Sequence, residues 1–387
     1  MFPSDDAALD ALRLEGDPEA DAVVEQVYGS GKAAVRALNT YTRGLERNGA
    51  ANAEDYPAVL RDLLASTDPV GTAAGGWDEA RIAAGADLPF HYAIPLALIL
   101  QLGTMPVLYA ARRGVEVIGY TGRLKSEPVR RSVETAQMVF DINRRGGLAA
   151  HGMGRRSAQR VRLMHASVRF FIRRSGRWDP ALGTPINQED LLGTLYSFSV
   201  LVVDALERLG ATLSAEEAET FYERWRAAGV LLGIRPDIIA PDLATARVHY
   251  ARIQARQFGP SPISAELTER WILENQRAVL GLVSEEQVGE VMRFFIGPDA
   301  ADSLGLPGTN DEGTFARTHR RLFHAMDGLF PRHSRRRRLT DAASTAFIRR
   351  WFLAERGPRR PSFALLESLR DRRPVRGPKV PHLRIAS

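Results

Sequence analysis

The chain has 387 residues, 52 Lys+Arg against 46 Asp+Glu, 44% hydrophobic side chains and no cysteine. That length is enough to bury a core of ordinary size. The absence of thiols excludes disulfides, thiolate-ligated heme, zinc ribbons, iron–sulfur clusters and cysteine nucleophiles, so any metal chemistry must use histidine or carboxylate ligands.

The first twelve residues, MFPSDDAALDAL, are acidic and carry neither a basic stretch nor the apolar run of a secretory signal, so a cytoplasmic location is expected. Residues 1–80 read as short helices joined by Gly-, Asp- and Pro-containing loops, a helical lead-in or cap ahead of a main domain at 81–330. Residues 88–111 are the most apolar stretch. They are long enough to span a bilayer, but Pro89, Pro95, Gln101, Gly103 and Pro106 interrupt them. A buried, kinked helix pair is expected there, not a transmembrane span.

Apolar residues recur at helical spacing almost throughout, and alternating strand-like runs are nearly absent, so the fold class is all-α. A helix is predicted from a Ser126 N-cap to about Asn143, stopped by Gly146 and Gly147. A second runs over about 157–174 and ends near Gly176, completing a helical hairpin. Further helices are predicted near 188–209, 215–232, 241–257, 264–282 and 284–295. From Pro331 onward 16 Lys+Arg face 4 Asp+Glu, so the basic excess is confined to a Pro- and Arg-rich extension at 331–387 while the body is mildly acidic. The tail contains a four-arginine run, residues 335–338, and one short apolar segment, 363–369, which suits a helix that docks on the body followed by a basic tail.

His165 is the leading candidate for chemistry. Val161, His165, Val168 and Ile172 lie at spacings of four, three and four, so the histidine shares an apolar stripe while Arg162 and Arg169 lie elsewhere on the helix. A histidine so placed is either a hydrogen-bonded core residue or a ligand. The preceding helix is apolar on two sides. Val129, Val133, Ala136 and Phe140 form one stripe; Arg131, Thr135, Met138 and Ile142 form another, which directs the Arg131 guanidinium and the Thr135 hydroxyl into apolar surroundings. A buried arginine needs an anionic partner. Glu134 or Glu127 is one possibility; a cofactor carboxylate is another.

The pair Arg131-x-x-x-Thr135, followed by His165 within VRLMHASVR at residues 161–169, resembles the heme-binding core of the latex-clearing proteins, rubber oxygenases of a wider family that includes MpaB-type oxygenases. The stretch GTPINQEDLLGTLYSF at 183–198 resembles that family's downstream block, and the resemblance covers roughly residues 85–330. It implies a globin-like, multi-helical core holding a non-covalent b-type heme, with His165 as proximal iron ligand and Arg131 and Thr135 needed for a working heme site. Dioxygen is the implied co-substrate. Position 134 departs from the pattern: the family carries a lysine able to close the distal iron site, whereas Glu134 is a poor ligand and a possible base. Glu116 is the nearest counterpart by spacing of the family's distal glutamate. Thr194 and Ser197 compete for a further polar position in the cofactor pocket.

With no export leader in view, extracellular rubber fits poorly as a substrate, and an apolar isoprenoid or specialised metabolite fits better, with oxidative C=C cleavage as the family's outcome. Two other readings remain open at this stage: a heme-binding or sensor protein without turnover, and a binder of nucleic acid or anionic surfaces through the basic tail. Against the latter, Phe347, Trp351, Phe352 and Phe363 are spaced like the packing face of a docking helix, and no specific nucleic-acid partner is expected. Among the other histidines, His91 is the best alternative iron ligand. His319 and His324 are five apart and poorly spaced for a shared metal, and His151 lies in a Gly-rich loop.

Overall fold

Polar residues at the helix starts explain where many of the helices begin. Asp5 accepts from the backbone of Ala8, Asp17 from Ala20, and Asn187 from Asp190. Ser214 with Glu217 and Ser284 with Gln287 form reciprocal capping boxes. The computed structural model describes residues 5–43, 78–121, 128–149, 151–278, 284–308 and 334–356, with isolated positions at 58, 59, 62, 317, 320 and 321. Among these residues every long element is helical, as the periodicity predicts.

In chain order the helices are α1 (Asp6–Leu14), α2 (Pro18–Gly29), α3 (Lys32–Arg43), α4 (Glu79–Ala84), α5 (Asp87–His91), α6 (Ala93–Ile99), α7 (Met105–Ala110), α8 (Val115–Thr121), α9 (Pro128–Asn143) and α10 (Met153–Ser175). They continue with α11 (Gln188–Phe198), α12 (Val200–Arg208), α13 (Ala215–Leu231), α14 (Leu243–Gln257), α15 (Pro262–Ala278), α16 (Glu285–Ile296), α17 (Pro298–Ser303) and α18 (Arg335–Arg356). The single helix expected over 188–209 is two, because the chain breaks at Ser199. The Ser126 cap and the apolar segment 363–369 lie outside the described residues.

The apolar stretch around residues 88–111 is interrupted and not one regular α-helix. A π-helical turn, Leu100–Thr104, joins α6 to α7, and Pro106 sits in the first turn of α7. Its polar groups are used: Gln101 donates to Asn275 at 3.1 Å, its carbonyl accepts from Trp271 Nε1 at 2.8 Å, and Thr104 donates to the Ser197 carbonyl at 3.0 Å. By length and composition alone Ala93–Ala110 is apolar enough to cross a membrane, and 44% of it is buried. The part from Met105 onward walls the central cavity described below.

The hairpin of α9 and α10 is closed by backbone contact. A Cβ on Gly154 would meet the Asp141 carbonyl oxygen at 2.5 Å, so only glycine permits this approach. Ser157 then donates to Asp141 at 3.0 Å across the buried interface. Arg224, buried on α13, donates to the carbonyls of Ile142 and Arg144 at the end of α9 and to Ile82, where a cation is favoured by the exposed carbonyls. Burial pulls its guanidinium down to about 10.

The segment around α1 and α2 is sewn into the body. Thr184 N–H donates to the Arg13 carbonyl at 2.8 Å, Gln188 N–H to the Glu15 carbonyl at 2.9 Å, and the Gln188 side chain to the Gly16 carbonyl at 2.7 Å. α2 packs along α10, where Arg162 donates to Asp17 at 2.5 and 2.8 Å and Arg169 to Asp21 at 2.7 Å. Both arginines are buried.

The C-terminal helix corrects the expectation for its aromatic spacing. Phe347 is 60% exposed, so it is not a packing residue, and the buried side chains described on α18, Arg337 and Asp341, are charged. Arg337 and Asp341 are buried and paired at 3.0 Å, and His91 Nδ1 meets Asp341 at 2.7 Å. Side chains of 351–356 and all of Phe363 lie outside the described residues.

Candidate functional site

A cavity of about 250 Å³ lies where α7, α8, α9, α10, α11 and α14 converge. Its walls are mostly apolar: Met105, Val107 and Leu108 from α7, Val117 and Ile118 from α8, Met138 from α9, and Val161, Met164 and Val168 from α10. The sequence stripe predicts this placement, since three and four residue steps keep Val161, His165 and Val168 on one side of α10. His165 is half-buried and lines the cavity, as does Thr135 from α9. Arg131 and Glu134 belong to α9, one turn and one residue before Thr135, but their side chains lie outside the described residues.

One end of the cavity is polar. Glu189, fully buried on the first turn of α11, accepts from Arg13 at 3.1 Å, Arg256 at 3.0 Å and Gln257 at 2.7 Å. Asp190 accepts from Arg13 at 3.0 Å and Asn187 at 2.8 Å, and burial, opposed by Arg13, still raises its carboxyl above the usual range. Two cations from outside α11 therefore balance two adjacent carboxylates, which is what burying them requires.

Thr194 and Ser197 both line the cavity, on successive turns of α11. Their hydroxyl protons are committed to carbonyls four residues back: Thr194 to Asp190 and Ser197 to Gly193, each at 2.8 Å. Tyr250 then acts as the donor to Ser197 Oγ at 2.9 Å. Ser197 is buried within this network, whereas Thr194 is half-buried and has lone pairs to offer. Behind α11, Tyr196 meets His249 Nδ1 at 3.0 Å and accepts from Ala240 N–H at 3.2 Å. Burial, with nearby Arg252, pulls His249 down to about 4, so the ring is neutral.

The other candidates separate from the cavity. His91 is held by Asp341 and does not line it, Glu116 is half-buried beside it without lining it, and His151 is exposed. His319 and His324 lie outside the described residues. Glu189, Asp190, Tyr250 and Gln257 were not singled out from the sequence. Acidic residues in the first turn of a helix are ordinary surface features, and only their cationic partners, 176 residues away at Arg13 and 67 residues away at Arg256, mark them as buried.

One imidazole is too few protein ligands for a bare metal ion. Among the described residues no cluster of three or more His, Asp or Glu side chains is gathered for that purpose. The same donor set fits a heme, which brings four nitrogens of its own and needs one protein imidazole and apolar walls.

Residues 81–328 match the family described as ER-bound oxygenase mpaB/B'/Rubber oxygenase, catalytic domain. The chain is similar to a rubber oxygenase of Streptomyces sp. (strain K30), 24% identical over 300 residues that make up 75% of this chain and 70% of that protein. Its fold is that of latex clearing protein in the closed state, with a TM-score of 0.71 at 21% identity, covering 88% of this chain and 91% of the other.

Proposed function

The chain belongs to the mpaB and rubber oxygenase catalytic-domain family and is an oxygenase, and from that premise we propose that it works through a b-type heme held by His165, with dioxygen as co-substrate and an apolar small molecule as substrate. The observation that carries the reading is the half-buried His165 on the wall of an apolar cavity that Thr135 also lines. When bound, the heme iron supplies the dioxygen activation that side chains cannot.

The chain's own residues then have separable tasks. His165 would supply the imidazole that holds the heme, its direction set by α10. Thr135 contributes a hydroxyl one helical turn from Arg131, whose guanidinium is assigned to an anionic partner, a heme propionate being the closest chemical match. Glu134 is assigned as proton acceptor on the same helix. Thr194 presents oxygen lone pairs, its proton being held by the Asp190 carbonyl. The walls from α7, α8 and α10 exclude water and orient an apolar substrate by shape. An isoprenoid-type metabolite suits a mostly apolar cavity of about 250 Å³, and oxidation at a C=C bond is the proposed outcome.

The test is spectroscopic before it is catalytic. Protein produced with adequate heme supply is expected to show a Soret band and a b-type pyridine hemochrome, both lost in His165→Ala. A folded wild type that stays colourless and takes up no added hemin overturns the reading. Oxygen uptake and carbonyl products with short isoprenoids, compared with a polyisoprene emulsion, then decide the substrate class.

A further inference from the structure

Over its described side chains, helix α18 is inverted. Its buried side carries the charged pair Arg337 and Asp341, joined to His91, while its solvent side carries Leu339, 72% exposed, and Phe347, 60% exposed, with alanines between them. Leu339, Ala342, Ala343, Ala346 and Phe347 follow the three and four residue steps of one helix face. Exposed arginines stand at both ends of this stripe, Arg335, Arg336 and Arg338 before it and Arg350 after it. α18 packs on α6, which exposes Ile94 by 40%.

We propose that this face of α18 docks on an anionic lipid surface. An apolar stripe framed by arginines matches the interface of such a membrane, where aliphatic and aromatic side chains enter the acyl boundary and guanidinium groups meet phosphate headgroups. The charge pattern disfavours the other occupants. A second copy paired antiparallel sets Arg335 and Arg336 against Arg350, and a parallel pair sets like against like. The chain's own residues 357–387 carry eight Lys+Arg against two Asp+Glu, so they repel the same rim and add to the attraction for lipid. A nucleic acid would use the arginines but leave Leu339 and Phe347 without a role. The four-arginine run thereby divides its work: Arg337 turns inward to hold the helix, and the other three face the lipid.

Docking of α18 on lipid is independent of heme at His165, and binding, not turnover, measures it. The full chain is sedimented with phosphatidylcholine vesicles and with the same vesicles containing phosphatidylglycerol. Binding to the anionic vesicles alone is expected. It should weaken by at least about tenfold in Leu339→Glu/Phe347→Glu, and as much in Arg335→Gln/Arg336→Gln/Arg338→Gln, with the melting temperature unchanged because all five side chains face solvent. The native chain lacks cysteine, so Leu339→Cys carrying an environment-sensitive dye gives a single reporter, expected to brighten on anionic vesicles. Absence of vesicle binding overturns the proposal. So does binding that the Leu339 and Phe347 substitutions leave intact, which would assign it to the basic tail. A dimer abolished by those substitutions points to a second copy, and vesicle-bound chain with a silent dye that duplex DNA displaces points to nucleic acid. Both overturn it.

Discussion

Two sides of α10 differ in what they touch. Toward the cavity the helix presents Val161, His165 and Val168; toward α2 it presents Arg162 and Arg169, both buried and paired with Asp17 and Asp21. The first side is held by apolar contact, which is strong but indifferent to direction. The second is held by charge-assisted hydrogen bonds, which are directional. Because Arg162 and Arg169 are seven residues apart and His165 lies between them, the ionic side fixes the rotation of the helix and hence the direction of the imidazole. One helix thus separates its chemistry from its anchorage, and substitutions on the two sides should fail in different ways.

The largest effect is expected on the cavity side. His165→Ala should abolish heme uptake while shifting the urea midpoint little, since a half-buried imidazole contributes modestly to packing. A variant that loses heme and unfolds together would show that the two sides are not separable.

On the ionic side the expected loss is stability. Burial acts unequally on the two arginines: Asp17 and Glu19 hold Arg162 above its usual range despite desolvation, whereas desolvation wins at Arg169 and also pushes Asp21 up. Arg169 and Asp21 are therefore costly to keep charged and costlier to separate. Asp21→Ala leaves a buried guanidinium without its carboxylate and should cost about 3–5 kcal/mol in denaturant unfolding. The double variant Asp21→Leu/Arg169→Met removes both charges and should recover much of that loss. If Asp21→Ala proves neutral, the seam does not anchor α10.

A neutral buried pair sharpens the contrast. His249 titrates near 6.5 when unfolded and about 4 when folded, so the unfolded chain binds more protons between those values. Stability present above pH 6.5 should fall by about 3 kcal/mol as the pH drops toward 4. Unfolding measured at pH 7.5 and 5 in wild type and His249→Gln checks this; a variant that keeps the full pH dependence assigns it elsewhere.

The cavity side was legible in the sequence and the ionic side was not. The stripe through His165 and the hairpin with its glycine stops follow from local periodicity, and the structure bears out the all-α class. The same periodicity says only that Arg162 and Arg169 lie off the stripe. Their burial depends on Asp17 and Asp21, 145 and 148 residues away, and no local pattern carries that distance. α18 misled for a related reason. Aromatic spacing marks a packing face only when the core supplies an apolar counterpart, and here the body offers His91 and Tyr92, so Arg337 and Asp341 turn inward and Phe347 turns out.

The smallest expected effects distinguish Thr194 from Ser197, which sequence alone leaves in competition. Ser197→Ala removes the acceptor of the buried Tyr250 phenol and should cost about 1–3 kcal/mol, with little change in the spectrum of bound heme because Ser197 is enclosed by its own bonds. Thr194→Val loses one hydrogen bond to the Asp190 carbonyl in a half-buried position, worth about 0.5–1 kcal/mol. Yet Thr194 is the hydroxyl open to the cavity, so its loss should move the Soret maximum or the affinity for a small heme ligand. Stability and spectrum are thus expected to change in opposite order for the two residues. If Ser197→Ala moves the spectrum and Thr194→Val does not, the polar position in the pocket belongs to Ser197, and the network with Tyr250 must open when the cofactor binds.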